Sequence, residues 1–274
     1  MSVVMPVHAG LNPAHLREAI ESVLSQTYSA LELIVVCDGE VGAEIAGYLS
    51  ECTRADDRVR VLSLPRNEGP ASARNAGIAQ ARGAFIALLD GDDRALPERI
   101  ERQVAFLRER AADLVGSQYR VIDESGAVTG RKYVPLDVED VRRMMYLFNP
   151  IANSTVLARA CVLKDHPFPT AYRYGEDYSL WVTLARLGYA LRNQPEFLVD
   201  FRSSSNFLHR RRGLHPALTE LTTKLRTLPL YRWCKRPWVV AVSMAVALLR
   251  LLPAPVLAGA YRLRNRQRFV SGAS

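Results

Sequence analysis

From its start through residue 110 the chain alternates short apolar runs with stretches of helical periodicity, and few folds accommodate that order. Runs at residues 2–6, 31–36, 60–64 and 84–89 have the length and composition of buried strands. Between the first two, Asn12-Pro13 reads as an N-cap and first helical residue, with Leu16, Ile20, Val23 and Leu24 on one face. A second helix is expected around residues 41–52, and a third from Ala71 after the loop at 65–70. Strand–helix repeats of this kind predict a parallel sheet with right-handed crossovers. There is no internal repeat, and the elements are too short for a coiled coil.

Ligands of open α/β sheets bind beyond the carboxyl ends of the strands. The fourth run ends there in Asp90-Gly91-Asp92-Asp93, and Leu96-Pro97-Glu98-Arg99-Ile100 then opens a helix, with Pro97 suited to its first position. Three carboxylates in one short loop repel each other and need a positive partner, for which Mg²⁺ or Mn²⁺ holding a diphosphate is the direct candidate. A loop that merely turns the chain and caps the next helix is the plainer alternative. The second run ends in Asp38-Gly39, either a plain turn or an acceptor for a base N–H, and Arg74 is a cation suited to phosphate. Neither a G-x-G-x-x-G nor a Walker pattern is present.

Charge is distributed unevenly. The net +8 combines a mildly acidic part, −5 over residues 1–201, with a basic tail, +13 over residues 202–274. A basic tail suits an anionic membrane surface or a nucleic acid. Its arginines are interleaved with Leu, Val and Ala rather than stacking aromatics, which counts against nucleic acid. Residues 238–249 are apolar except for Ser243 but too few to span a bilayer of ~30 Å, and Arg250, Pro253 and Pro255 interrupt any continuation to Tyr261. Arg236, Ser243 and Arg250 recur every seven residues, and Arg262, Arg264, Arg266 and Arg268 follow. Two short helices lying in the membrane interface are expected, with Trp233 and Trp238 near the headgroups; packing on the protein's own core, or a dimer interface, is the alternative. Scattered Cys37, Cys52, Cys161 and Cys234 suggest reduced thiols, and a chain that starts almost directly with a strand suggests no signal peptide.

The order of the pieces carries more than any one of them. Ser2-Val3-Val4-Met5-Pro6-Val7, Ser22-Val23-Leu24-Ser25-Gln26-Thr27-Tyr28 and the run Glu32 to Gly39 resemble the opening of family-2 glycosyltransferases. Asn67-Glu68-Gly69-Pro70-Ala71-Ser72-Ala73-Arg74-Asn75-Ala76-Gly77, the Asp90–Asp93 cluster and Gly175-Glu176-Asp177-Tyr178-Ser179-Leu180-Trp181 continue the resemblance over roughly residues 2–200. Cys37 stands where that family usually has a first aspartate, and His8 where it often has a tyrosine.

The resemblance implies a GT-A fold: an α/β, mixed and mostly parallel sheet flanked by helices. A nucleotide-sugar half (1–110) would share that sheet with an acceptor half (111–212), ahead of a helical tail (213–274). It implies a metal-dependent, inverting transfer from a nucleoside-diphosphate sugar, usually a UDP-sugar, to a glycan or lipid-linked acceptor. Localisation would be cytoplasmic, on the inner face of the membrane. By position, Pro6, His8, Asp38, Asn67, Arg74, Asp90 and Asp92 would bind the donor, with Asp38 on the uracil, His8 stacked on the base and Arg74 on ribose or phosphate. Asp92 or Asp93 would ligate the cation. A non-catalytic nucleotide-sugar-binding protein or scaffold with the same fold is the rival reading.

Glu176-Asp177 opens a helix with apolar Leu180, Trp181, Leu184 and Leu187, and the two acids either complement the helix dipole or supply the general base. One helical step of about 100° keeps both from facing one point equally, and Asp177 is the preferred base with Glu176 the alternative. A strand at 112–118, a hairpin over 119–134 turning at Asp123-Glu124-Ser125-Gly126, and a further strand after 149–155 are expected between the halves. His209 and Arg210, with Arg211 and Arg212, are either a basic lid over the diphosphate or a patch near lipid headgroups.

Overall fold

A computed structural model describes residues 1–172, 174–203 and 213–250. Among them, nine strands form one sheet: β1 (Ser2–Val7), β2 (Glu32–Cys37), β3 (Val59–Ser63), β4 (Phe85–Leu88), β5 (Arg94–Ala95), β6 (Leu114–Ile122), β7 (Val128–Lys132), β8 (Leu157–Arg159) and β9 (Leu191–Arg202). They lie in the order β3-β2-β1-β4-β8-β6-β9-β5, with β7 paired to β6. The strands β3, β2, β1 and β4 are parallel, β8 runs antiparallel to both its neighbours, and β6 and β9 are parallel.

Period-2 alternation explains why the first strands read as continuous apolar runs: both faces are buried. Val3, Met5, Leu33, Val35 and Ala87 face α1 (Pro13–Leu24), α2 (Ala43–Ala55) and α4 (Arg99–Glu109). Val4, Ile34, Val36, Ile86 and Leu88 face α3 (Pro70–Gln80), α6 (Ala160–Asp165) and α7 (Glu176–Arg186). The expected cap forms, with Asn12 Oδ1 accepting from Ala14 N at 2.9 Å ahead of Pro13. The expected hairpin forms as β6 and β7, and Asp123 Oδ1 accepts from the backbone of Ser125 and Ala127 at its turn.

One expectation needs correction. No helix begins at Pro97, because the chain first lays down β5 against β9 and Leu96 N donates to Leu198 O; α4 starts at Arg99. This pairing also threads the first half of the sequence into the second, so residue 110 divides the chain but not the sheet. Leu187 ends the α7 face outside the core at 58% exposure, while Trp181 and Leu184 are fully buried.

A short helix, α5 (Val138–Met144), precedes β8, and the C-terminal part folds as α8 (Leu214–Leu225) and α9 (Arg236–Leu249). α8 is pinned to α7 by Arg226, whose guanidinium donates to Ser179 Oγ at 2.7 Å and Thr183 Oγ1 at 3.0 Å. α9 turns Val239, Ser243 and Ala247 inward, and Arg250 at its end pairs with Glu220 of α8. The Ser243–Arg250 stripe therefore faces the protein. The outer face of α9 carries Trp238, Met244 and Leu248, with Trp233 just before it. At 14 residues α9 is about 21 Å long, and among the described residues no helix is long and apolar enough to cross a membrane. The stretch 251–274 lies outside the described residues.

Candidate active site

Parallel register gathers the expected residues at one edge of the sheet. Val7 pairs with Cys37 and Val4 with Leu88, so His8, Asp38 and Asp90 leave the sheet on the same side. A cavity of about 1090 Å³ opens there, lined on one flank by Pro6, His8, Asp38, Asn67, Arg74, Asp90 and Asp92. Asn149, Asn153, Glu176 and Asp177 line the opposite flank. Single-ligand sites run to about 1,000 Å³, so this volume has room for a second group beside a first.

On the β2 side, Asp38 is buried and its carboxylate is already engaged. Oδ1 accepts from Glu68 N at 2.8 Å and Oδ2 from Gly69 N at 3.0 Å, while Asn67 Nδ2 donates to the Asp38 carbonyl at 3.3 Å. Asp38 thus shapes the 67–69 loop, with lone pairs left over for a ligand N–H. Gly39 is required for this closure: its φ is +83°, and a Cβ there would sit 2.6 Å from Asn67 N. His8 Nδ1 accepts from Gly10 N at 3.0 Å, which leaves Nε2 to carry the proton of the neutral ring.

The three aspartates have separate fates. Asp93 N donates to Asp90 O, closing a tight turn that points Asp93 away from the cavity and into the protein. Its Oδ1 accepts from Arg202 N at 2.7 Å, and its Oδ2 is buried without a partner. Burial first, then the charges of Asp92 and Asp90, push its carboxyl well above the usual range. Asp93 thus braces the entry to β5, and Asp92 and Asp90 are the members that line the cavity. Burial, then the neighbouring Asp90, also raises Asp92.

Arg74 joins the two flanks. Its Nη2 lies 2.7 Å from Asp90 Oδ1 and its Nη1 2.6 Å from Glu176 Oε1. Burial works against its charge, but Asp90 and Glu176 outweigh that and hold its pKa above the ordinary value. The helix reaches this position because Gly77, one turn on, lets α3 press onto the sheet; a Cβ there would meet Val4 Cγ1 at 2.5 Å. Arg74, expected to meet ribose or phosphate, lines the cavity with both terminal nitrogens on carboxylates. Asp177 is half-buried, and its Oδ2 accepts from Asn149 Nδ2 at 2.9 Å.

Residues of the 149–155 stretch hold Asp90, and further lining groups were not singled out from the sequence. Ser154 Oγ accepts from Asp90 N, and Asn153 Nδ2 donates to Asp90 Oδ1 at 3.3 Å. Arg131 and Lys132 of β7 reach the cavity, as do Thr219, Glu220 and Thr223 of α8 and Arg250. Residues so distant in the chain carry no local motif, although the cations of β7 fall on the predicted hairpin. His209 and Arg210 lie outside the described residues.

Among the described residues no cluster of three or more His, Cys, Asp or Glu side chains is placed to hold a metal. Asp92 and Asp90 offer two cavity-facing carboxylates. That fits the one or two Mg²⁺ takes from protein when phosphates and water complete its shell.

A mixed sheet thus gathers acids from both flanks around one large cavity, and comparison with known proteins gives the family. Residues 2–160 match the family described as Glycosyl transferase family 2, and this chain belongs to that family. It is 34% identical over 203 residues to an uncharacterized glycosyltransferase of Haemophilus influenzae, covering 70% of this chain and 62% of that protein. The chain thus spans less than two thirds of that relative. It is 30% identical over 214 residues to the amylovoran biosynthesis glycosyltransferase AmsE of Erwinia amylovora, covering 77% of this chain and 79% of AmsE. With the O-antigen biosynthesis glycosyltransferase WbnJ of Escherichia coli it shares 29% identity over 205 residues, 74% of this chain and 79% of WbnJ. In fold it is similar to S. aureus TarS 1-349 solved with UDP-GlcNAc, at a TM-score of 0.66 and 18% identity over 91% of this chain and 71% of that one.

Proposed function

We propose that this protein transfers a sugar, with inversion, from a UDP-sugar to an acceptor hydroxyl in surface polysaccharide or glycolipid assembly. The observation that carries the reading is the Arg74 clamp, which holds a carboxylate from the strand-end loop and one from the start of α7 on opposite sides of one cavity. The UDP-GlcNAc complex of TarS and the polysaccharide names of AmsE and WbnJ support the donor and pathway classes.

The base end of the donor sits against Asp38, Asn67 and His8, and the diphosphate lies toward Asp90 and Asp92. A divalent cation held by Asp92, with Asp90 beside it, would neutralise charge on the departing diphosphate. Asp177 is the base. Glu176 is committed to an ion pair with Arg74. Asp177 is oriented by the neutral amide of Asn149 and can take the acceptor hydroxyl's proton as its oxygen attacks the anomeric carbon. The outer face of α9 rests on an anionic membrane surface. Trp233 and Trp238 are 80% and 65% exposed and stand beside exposed Arg232, Lys235 and Arg236, a pairing of apolar and cationic groups that suits lipid headgroups.

Screening a panel of nucleoside-diphosphate sugars with Mn²⁺ for nucleotide release tests the reaction. Release from a UDP-sugar, abolished by Asp92→Ala, is expected; a protein that binds UDP but releases none from any donor is a scaffold rather than an enzyme.

A further inference from the structure

We infer that α8 supplies an acceptor subsite: a face formed by Pro216, Thr219, Glu220 and Thr223, closed by Arg250, that reads the hydroxyl groups of a saccharide acceptor. The inference rests on the transferase reading above and adds the substrate class and the residues that select it.

These side chains lie at i, i+3, i+4 and i+7 on one helix face and line the same cavity as Asp177. They fall outside residues 2–160, the stretch matched to the family. Thr223 is 1% exposed and its Oγ1 has no hydrogen-bond partner in the protein. A buried hydroxyl left unpaired is costly to keep, and a ligand hydroxyl would satisfy it.

Glu220 is held ionised in a buried position. Burial would raise its pKa, but Lys224 and Arg250 more than offset this and lower it. An ionised carboxylate accepts hydrogen bonds strongly, and sugar hydroxyls are donors that fit it. The two cations are themselves committed. Lys224 pairs with Glu220 and donates to Leu147 O at 2.7 Å, and Arg250 pairs with Glu220. Carboxylate and hydroxyls, rather than unengaged cations, are what the face presents, which favours a hydroxyl-rich ligand over an anionic one.

The subsite is wired to the base. Lys224 holds the backbone at Leu147, two residues before Asn149, and Asn149 donates to Asp177. Arg226 fixes the same helix to α7, which carries Asp177. A sugar seated on α8 is therefore presented to a base whose position α8 helps to set.

The test uses the full chain, its UDP-sugar donor, and octyl glycosides of glucose, galactose, rhamnose and N-acetylglucosamine as acceptors. At least one glycoside is expected to accept sugar. For it, Thr223→Val and Thr219→Val should each raise the acceptor KM about tenfold, the loss of roughly one hydrogen bond, with kcat changed far less. UDP affinity by calorimetry should not move. Thr223→Ser, which restores the hydroxyl, should keep the wild-type KM. The thermal midpoint of Thr223→Val should not fall, because Oγ1 gives up no partner; if that variant nonetheless fails to fold, Thr219→Val reads the same face. Unchanged acceptor KM in the threonine variants overturns the subsite. UDP release without transfer to any glycoside overturns the saccharide class, and absence of UDP binding overturns the transferase reading on which both rest.

Discussion

Arg74 Nη1 and Glu176 Oε1 stand 2.6 Å apart although 102 residues separate them, and the same guanidinium reaches Asp90 at 2.7 Å. The pair ties α3, on the donor flank, to the first residue of α7, on the acceptor flank. With side-chain exposures of 6% and 10% it is shielded from solvent, so removing one partner strands the other as a buried charge.

Arg74→Met should therefore destabilise the fold by about 3–5 kcal/mol, read as a large fall in thermal midpoint. Adding Glu176→Gln should recover part of that loss, because the stranded charge is gone. Additive effects of the two substitutions would show that the ion pair does not couple the flanks.

Asp177→Asn should lower kcat by about 10²–10⁴-fold while leaving UDP affinity near wild type, since a general base acts in the transition state. Full turnover in Asp177→Asn together with loss in Glu176→Gln would move the base to Glu176.

Attachment to lipid should follow the exposed face of α9. Trp238→Glu and Leu248→Glu, at 65% and 60% exposure, should release the protein from anionic vesicles without altering UDP binding. High salt should weaken attachment of the unaltered protein as well. Vesicle binding that ignores both substitutions and salt would remove this face from the account.

Glu220 gives a pH signature. Its folded pKa is depressed below the ordinary 4.5, so its ion pairs contribute stability that is fully present above that value and lost as pH falls through the folded pKa. The stability difference between the wild type and Glu220→Gln should shrink between about pH 7 and about pH 3. A constant difference would mean that the buried carboxylate does not titrate with folding.

Much of this was legible in the sequence because it is local. Strand-length runs, the Asn12 cap and the turn at Asp123 are written in neighbouring residues, and the strands they define place His8, Asp38 and Asp90 at one edge. What sequence order alone could not supply is direction. Asp92 and Asp93 are adjacent, yet a single turn sends one to the cavity and the other under Arg202 N. That Arg74 meets Glu176 is visible only once the fold brings the two together. Likewise the seven-residue recurrence of Ser243 and Arg250 does not say which way the stripe faces until α8 supplies Glu220 to receive Arg250. In each case the deciding partner lies far away in the chain.

The measurement that bears most directly on the donor site is calorimetric titration with UDP and Mn²⁺ of the wild type, Asp92→Ala and Asp93→Asn. The account predicts binding to the wild type that EDTA and Asp92→Ala both weaken. Asp93→Asn should instead lower the thermal midpoint while any folded protein keeps its metal response. Equal UDP affinity with and without metal, and in Asp92→Ala, would contradict the cation role, and no UDP binding by the wild type would contradict the donor site itself.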